Sequence, residues 1–159
     1  MATTNLPDLL VSNPAPFDLK DDDIVWLCQD GGDVAMLGSQ IKAGVLAGRP
    51  FDIHGQMPGV PDYNTRWVYQ FNRAATLPAS LTGSHAGCQV HPTSPTVFKI
   101  YKGGGQIGSI NIASGTATAT FTFASAVTFA AGDLLTVEAQ VTPDATMEGL
   151  HFNFAGSLT

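Results

Sequence analysis

The chain is predicted to be mainly β, with a C-terminal antiparallel β-sandwich (jelly-roll-like) preceded by an extended arm, a small β-hairpin and a short helix. Two observations carry this expectation. From Thr96 to Phe154 apolar and polar residues alternate with a period of two, the spacing that puts successive side chains on opposite faces of a strand. Gly, Pro, Asn and Asp punctuate these runs at short intervals, as turns between short strands require. The 159 residues are enough for one domain with an appendage.

The elements follow in order. Residues 1–23 show neither period; Pro7, Pro14, Pro16 and the run Asp21-Asp22-Asp23 describe an extended arm. Its apolar residues, Leu9, Leu10 and Phe17 among them, are too many for a purely solvated tail, so the arm is expected to strap against its own chain or a neighbour. Ile24–Leu27 and Val34–Leu37 flank Asp30-Gly31-Gly32-Asp33 and read as a hairpin. Ser39 then caps a short helix, with Ile41 and Val45 one turn apart and Gly48 as its stop. A hairpin and two helical turns have no adequate core, so this face needs a partner. Gly48-Arg49-Pro50 and Gly55-Gln56-Met57-Pro58-Gly59 read as a joint, dividing the chain into a 1–48 segment, a 49–59 linker and a 60–159 sandwich. Strands are expected at 67–73, 75–81, 86–91, 96–102, 106–112, 117–123, 127–129, 134–141 and 148–155.

Composition excludes several function classes. Charged residues make up 13% of the chain, about half the usual share. A net charge of −6 with seven Lys and Arg leaves no basic footprint for nucleic acid. The uncharged stretch 103–132 alternates Gly, Ser and Thr with apolar residues and makes strands, not a membrane helix. Asp8 stands where an export signal would need a basic region and an apolar run, so synthesis and assembly in a cytoplasm are expected. Cys28 and Cys88 leave both one disulfide and two separate buried thiols open, with the thiols favoured.

No chemical motif stands out. His85, Cys88 and His91 have a metal-like spacing, but on a strand 85 and 91 share one face and 88 takes the other, and a fourth ligand is missing. Asp18, Asp21, Asp22 and Asp23 lack the Gly turn and closing Glu of a calcium loop. Glu138 and Glu148, the two glutamates, sit on strands that need not converge, and no Gly-x-Ser-x-Gly elbow or phosphate loop occurs. No enzyme, no metal and no cofactor are therefore expected. Trp67, Tyr69 and Phe71 alternate onto one face of the first sandwich strand. They either fill the core or, with Tyr101, form a stacking platform for sugars.

The segment Val97-Phe98-Lys99-Ile100-Tyr101-Lys102-Gly103-Gly104-Gly105-Gln106-Ile107-Gly108-Ser109-Ile110, with Phe121-Thr122-Phe123 and Phe129-Ala130-Ala131-Gly132-Asp133, is similar to the C-terminal β domains of tailed-bacteriophage virion proteins of the head-fibre, head-spike and tail-fibre type. The order of strand, Gln-Asp-Gly-Gly turn, short helix and Pro-Phe-Asp-Ile joint resembles them too. The resemblance implies a non-enzymatic virion component: a head fibre, spike or capsid-decoration protein, or a short tail appendage. Such a protein attaches through its N-terminal piece and projects its β domain, usually as a homotrimer. Leu9, Leu10, Phe17, Ile24 and Trp26 are the expected virion-attachment residues. The partners implied are sister chains and other capsid or tail proteins, in a particle assembled in the bacterial host cytoplasm. The alternative is a carbohydrate-binding module that adsorbs to host surface glycans through Trp67, Tyr69 and Tyr101.

Overall fold

A computed structural model of the chain describes residues 24–29, 32–37, 48–63 and 65–159, the first two ranges as backbone alone. The chain divides into two units, Met1–Ala47 and Gly48–Thr159. In the first, β1 (Ile24–Gln29) and β2 (Gly32–Leu37) pair antiparallel, with Ile24 opposite Leu37 and Gln29 opposite Gly32. This is the expected hairpin, two residues longer in its first strand and in its second. Ile24 and Trp26 lie on β1. The expected arm, with Leu9, Leu10 and Phe17, and the helix begun by Ser39 lie outside the described residues.

The second unit is a β-sandwich of two antiparallel sheets. Its strands are β3 (Pro50–Met57), β4 (Arg66–Gln70), β5 (Ala75–Leu77), β6 (His85–Gly87), β7 (Thr96–Lys102), β8 (Gly105–Ile112), β9 (Ala119–Thr122), β10 (Val127–Phe129), β11 (Leu134–Ala139) and β12 (Leu150–Leu158). The first sheet runs β10-β5-β12-β3, with β6 also paired to β12; the second runs β4-β11-β7-β8-β9. Apart from the β7-β8-β9 meander and the β5–β6 step, each connection crosses between sheets, as in jelly-roll-type sandwiches.

The elements form where the two-residue period places them. β7 alternates Phe98 and Ile100 inward with Lys99 and Tyr101 outward, and β11 buries Leu135, Val137 and Ala139. A register shift after Ile100 puts Ile107 as an extra residue in β8, with Gly108 opposite Ile100 and Gln106 opposite Tyr101. The strand expected over 75–81 ends at Leu77. Pro78 follows, and residues 79–81 form a single 3₁₀ turn tied to the core by the Ser80 N–H donating to the Phe123 carbonyl. The core between the sheets joins Ile53, Leu77, Phe129, Leu150 and Phe154 of the first to Phe98, Ile100, Ile110, Ile112, Leu135 and Val137 of the second.

The expected linker at 49–59 is corrected. Residues 50–57 are β3, paired along their whole length with β12 from Met57 opposite Leu150 to Pro50 opposite Ser157. Ile53 and Met57 are buried and Phe51 packs on the core. Gly and Pro gave this stretch the look of a joint, and each has a strand role. Pro50 opens an edge strand, where a missing N–H costs no ladder bond. Gly55 lies opposite Phe152, whose ring occupies the space a side chain would take. The sandwich therefore begins at Gly48, not at residue 60.

The loops at one end of the sandwich are tied by Asp144. Its Oδ2 accepts from Thr93 Oγ1 (2.9 Å) and the Ser94 N–H (2.8 Å), and its Oδ1 accepts from the N–H (2.8 Å) and hydroxyl of Thr146. At the other end Lys102 Nζ pairs with Asp133 at 3.2 Å, donates to the Thr128 carbonyl and sits over the Phe129 ring.

Candidate functional site

The structure does not bring Trp67, Tyr69 and Tyr101 together. Trp67 and Tyr69 turn inward from β4 and pack against the core. Their rings stack on each other (centroids 6.0 Å apart, 9° between planes), Trp67 meets the edge of Phe152 at 5.0 Å, and Tyr69 meets Phe71 at 5.1 Å. The flat face of each ring toward the other is already occupied. Both remain half-buried because β4 is an edge strand with one neighbour, β11. Tyr101 points the opposite way, onto the outer face of the second sheet, in register with Thr136 and, beyond it, Val68. That face is lined with short polar chains: Asn111 Nδ2 donates to Thr122 Oγ1, and Ser109 Oγ to Asn111 Oδ1. One half-buried ring among hydroxyls is not a platform.

Other residues singled out in the sequence are also apart. Cys88 is a free thiol buried in the core, 5% exposed, and burial pushes its pKa up; His85 and His91 are exposed. Glu138 lies on β11 between Arg66 and Lys99 of the neighbouring strands, while Glu148 is in the bridge to Val90 that precedes β12. Among the described residues, no group of three or more His, Cys, Asp and Glu side chains is placed to hold a metal ion.

A concave site lies instead on the outer face of the first sheet, where β12 runs between β3 and β6. The ladder sets His54, Asn153 and His85 side by side across three strands. Two residues along, Gln56, His151 and Gly87 form a parallel row. Between the rows run Gly55, Phe152 and Ala86, with the Phe152 ring directed into the core, so the floor is largely backbone. Strand geometry puts the rows roughly 7 Å apart and makes the trough about 10 Å across its three strands. The depression has a volume of about 440 Å³.

Two glycines shape it. A Cβ at Gly55 would stand 2.1 Å from Phe152 Cζ, so only glycine lets that ring close the floor from beneath. A Cβ at Gly87 would come within 2.6 Å of the Ala117 carbonyl and 3.0 Å of His151 Nε2, so its absence lets the imidazole lean over β6. His151 Nδ1 lies 3.4 Å from the Gly149 carbonyl oxygen.

Three imidazoles and two amide side chains wall the trough above a largely apolar floor, and among its described lining residues there is no Asp, Glu, Lys or Arg. Among the described residues no hydrogen bond engages the side chains of His54, Gln56 or His85. Asn153 Oδ1 is fully buried and has no partner, the one such side-chain atom among the described residues. A buried acceptor left unmade costs about 1–3 kcal/mol, and such an atom calls for an explanation in what normally meets it. The sequence carried a trace of this site: His54-x-Gln56 and His151-x-Asn153 are polar pairs at period two. Reading 49–59 as a linker removed the first pair from any sheet.

Comparison with protein-family models finds no match, and no curated protein matches the chain. Among solved structures, one similar chain is a carbohydrate-binding module, CBM36, in complex with calcium and xylotriose. It shares 16% identity over 67% of this chain and 98% of its own, with a TM-score of 0.40. At that level the likeness assigns neither ligand nor residue here.

Proposed function

We propose that the chain is a non-enzymatic structural component of a tailed-phage virion, in which residues 1–47 attach to the particle and the 48–159 sandwich is displayed. One observation carries the reading. Among the described residues, the sandwich strands β3 to β12 pair with one another and their side chains make up its core. The 1–47 unit, with a two-stranded hairpin as its described structure, is left for another task. Attachment to a particle, or to sister chains in a homotrimer, buries what a lone hairpin cannot. The low charge and the Thr- and Ser-rich outer face of the second sheet suit a surface that meets solvent on a particle.

The test is location and copy number in purified particles of the phage that encodes the chain. Quantitative mass spectrometry with antibody labelling is expected to find it on head or tail, in a copy number divisible by three. Its absence from particles would overturn the reading. The alternative, a carbohydrate-binding module acting through Trp67, Tyr69 and Tyr101, draws little support from Trp67 and Tyr69 packed on the core and Tyr101 on the opposite face of the sheet.

A further inference from the structure

We infer that the trough across β3, β12 and β6 is a binding site for a neutral saccharide, centred on Asn153 and walled by His54, His85, Gln56 and His151. The inference goes beyond the display reading and does not depend on where the chain sits in a particle.

Three features of the trough point to this ligand class. Among the described residues of its lining there is no Asp, Glu, Lys or Arg, so the site holds no permanently charged side chain, which favours an uncharged ligand over nucleotides, phosphates and acidic peptides. What it offers is amide and imidazole side chains, each able to donate and accept in one plane. A sugar's vicinal hydroxyls, which also donate and accept, match such groups in pairs. Among the described residues, His54, Gln56 and His85 stand exposed with no side-chain hydrogen bond, so a ligand can engage them without breaking an internal bond.

The second feature is the orphan acceptor. Asn153 Oδ1 is covered yet unpartnered between His54 and His85, so the site is incomplete as it stands. A hydroxyl arriving between the two imidazoles, with a small turn of either ring, supplies the missing donor. The third is shape. The trough opens past the edge strand β3, is bordered by the Ala117 carbonyl at Gly87, and has a floor of backbone, which admits a chain of rings lying across the strands and not only a terminal sugar. Its volume falls in the range of small-molecule sites.

A divalent metal is the competing occupant, because three histidines line the trough. They do not converge: His54 and His85 are separated by the whole width of β12, and no metal-holding group forms among the described residues.

The experiment uses the full chain. A microarray of neutral oligosaccharides built from hexoses, pentoses and N-acetylhexosamines selects a binder, which is then titrated by NMR. Backbone amides at 54–56, 85–87 and 151–153 are expected to shift together. Asn153→Ala and His85→Ala are each expected to weaken binding about tenfold or more. His85 is exposed, so its variant keeps the fold should Asn153→Ala perturb it. His91→Ala, exposed and outside the trough, is expected to change nothing. Any of three results would overturn the inference: no saccharide on the array binds, the shifts map to β4 and Tyr101, or both trough variants bind as the parent does. Zinc or nickel shifting the trough amides where no saccharide does would assign the site to a metal instead. Particle location is read by a different assay, so either reading can fail alone.

Discussion

Gly55→Ala tests the packing on which both the β3 pairing and the trough floor depend. The added Cβ would stand 2.1, 2.3 and 2.9 Å from Cζ, Cε2 and Cε1 of Phe152. Carbon atoms rest about 3.5–4.0 Å apart, so the ring must retreat by roughly 1.5 Å. It has nowhere to go. Trp67 meets it edge-on at 5.0 Å, Phe154 stacks on it at 4.8 Å, and it is 4% exposed. Overpacking of this kind costs about 1–3 kcal/mol, and the rigidity of the neighbours puts this case near about 3. For a domain of this size that lowers Tm by roughly 10–20 °C.

Phe152→Ala alone removes the ring and is expected to cost about 3–5 kcal/mol. In that background the methyl of Gly55→Ala enters vacated space, and restriction of the unfolded chain makes it neutral or stabilising by up to about 1 kcal/mol. The double-mutant cycle should therefore show a coupling of about 3 kcal/mol, read from urea unfolding of the four proteins. Additivity within about 0.5 kcal/mol would refute the close approach of Phe152 to Gly55, and with it the register of β3 on β12.

Trp67→Ala should cost about 3 kcal/mol in urea unfolding, because the indole is wedged between Tyr69 and Phe152, whereas Tyr101→Ala on the outer face should cost under about 1. Hydrogen bonds from the Thr146 hydroxyl and N–H and from the Thr93 hydroxyl hold the Asp144 carboxyl well below the usual carboxylate range. The folded chain thus stays charged there while the unfolded chain takes up a proton. The stabilisation is complete above the ordinary carboxylate pKa of about 4 and is lost as pH falls below it; Asp144→Asn should flatten the decline of Tm between pH 4 and pH 2 (roughly the window of carboxylate uptake). Cys88, buried and with a raised pKa, should react with a thiol reagent only on unfolding, measured at pH 8 in a Cys28→Ser background; rapid labelling of the folded protein would contradict its burial.

The β7-β8 hairpin was legible because Phe98, Ile100, Ile110 and Ile112 keep the two-residue file unbroken and Gly103-Gly104 closes it. β11 and β12 were legible for the same reason. β3 was not, because its inward file reads Phe51, Ile53, Gly55, Met57, and the glycine breaks it. The apolar group that completes the file comes from Phe152, about a hundred residues away, which no local pattern can report. The same long-range pairing hid the trough. His54, His85 and Asn153 come from three separate strands and become neighbours only through β12. Trp67 and Tyr69 were visible as one file, but whether that file faced core or solvent depended on which sheet β4 joined. Pro78 was a legible stop that a longer strand expectation overran.

The proposed division of labour between the two units is tested most directly by particle occupancy of the chain with and without residues 1–47. The cut belongs at Gly48, since a fragment starting at residue 60 would lose β3 and its eight pairings with β12. The measurement is the amount of tagged 48–159 fragment, against tagged full chain, that co-sediments with particles lacking the native protein. The fragment, folded and β-rich by circular dichroism, is expected to stay in the supernatant while the full chain sediments with the particles. A folded fragment that reaches the occupancy of the full chain would contradict it, and the docking surface would then lie on the sandwich itself.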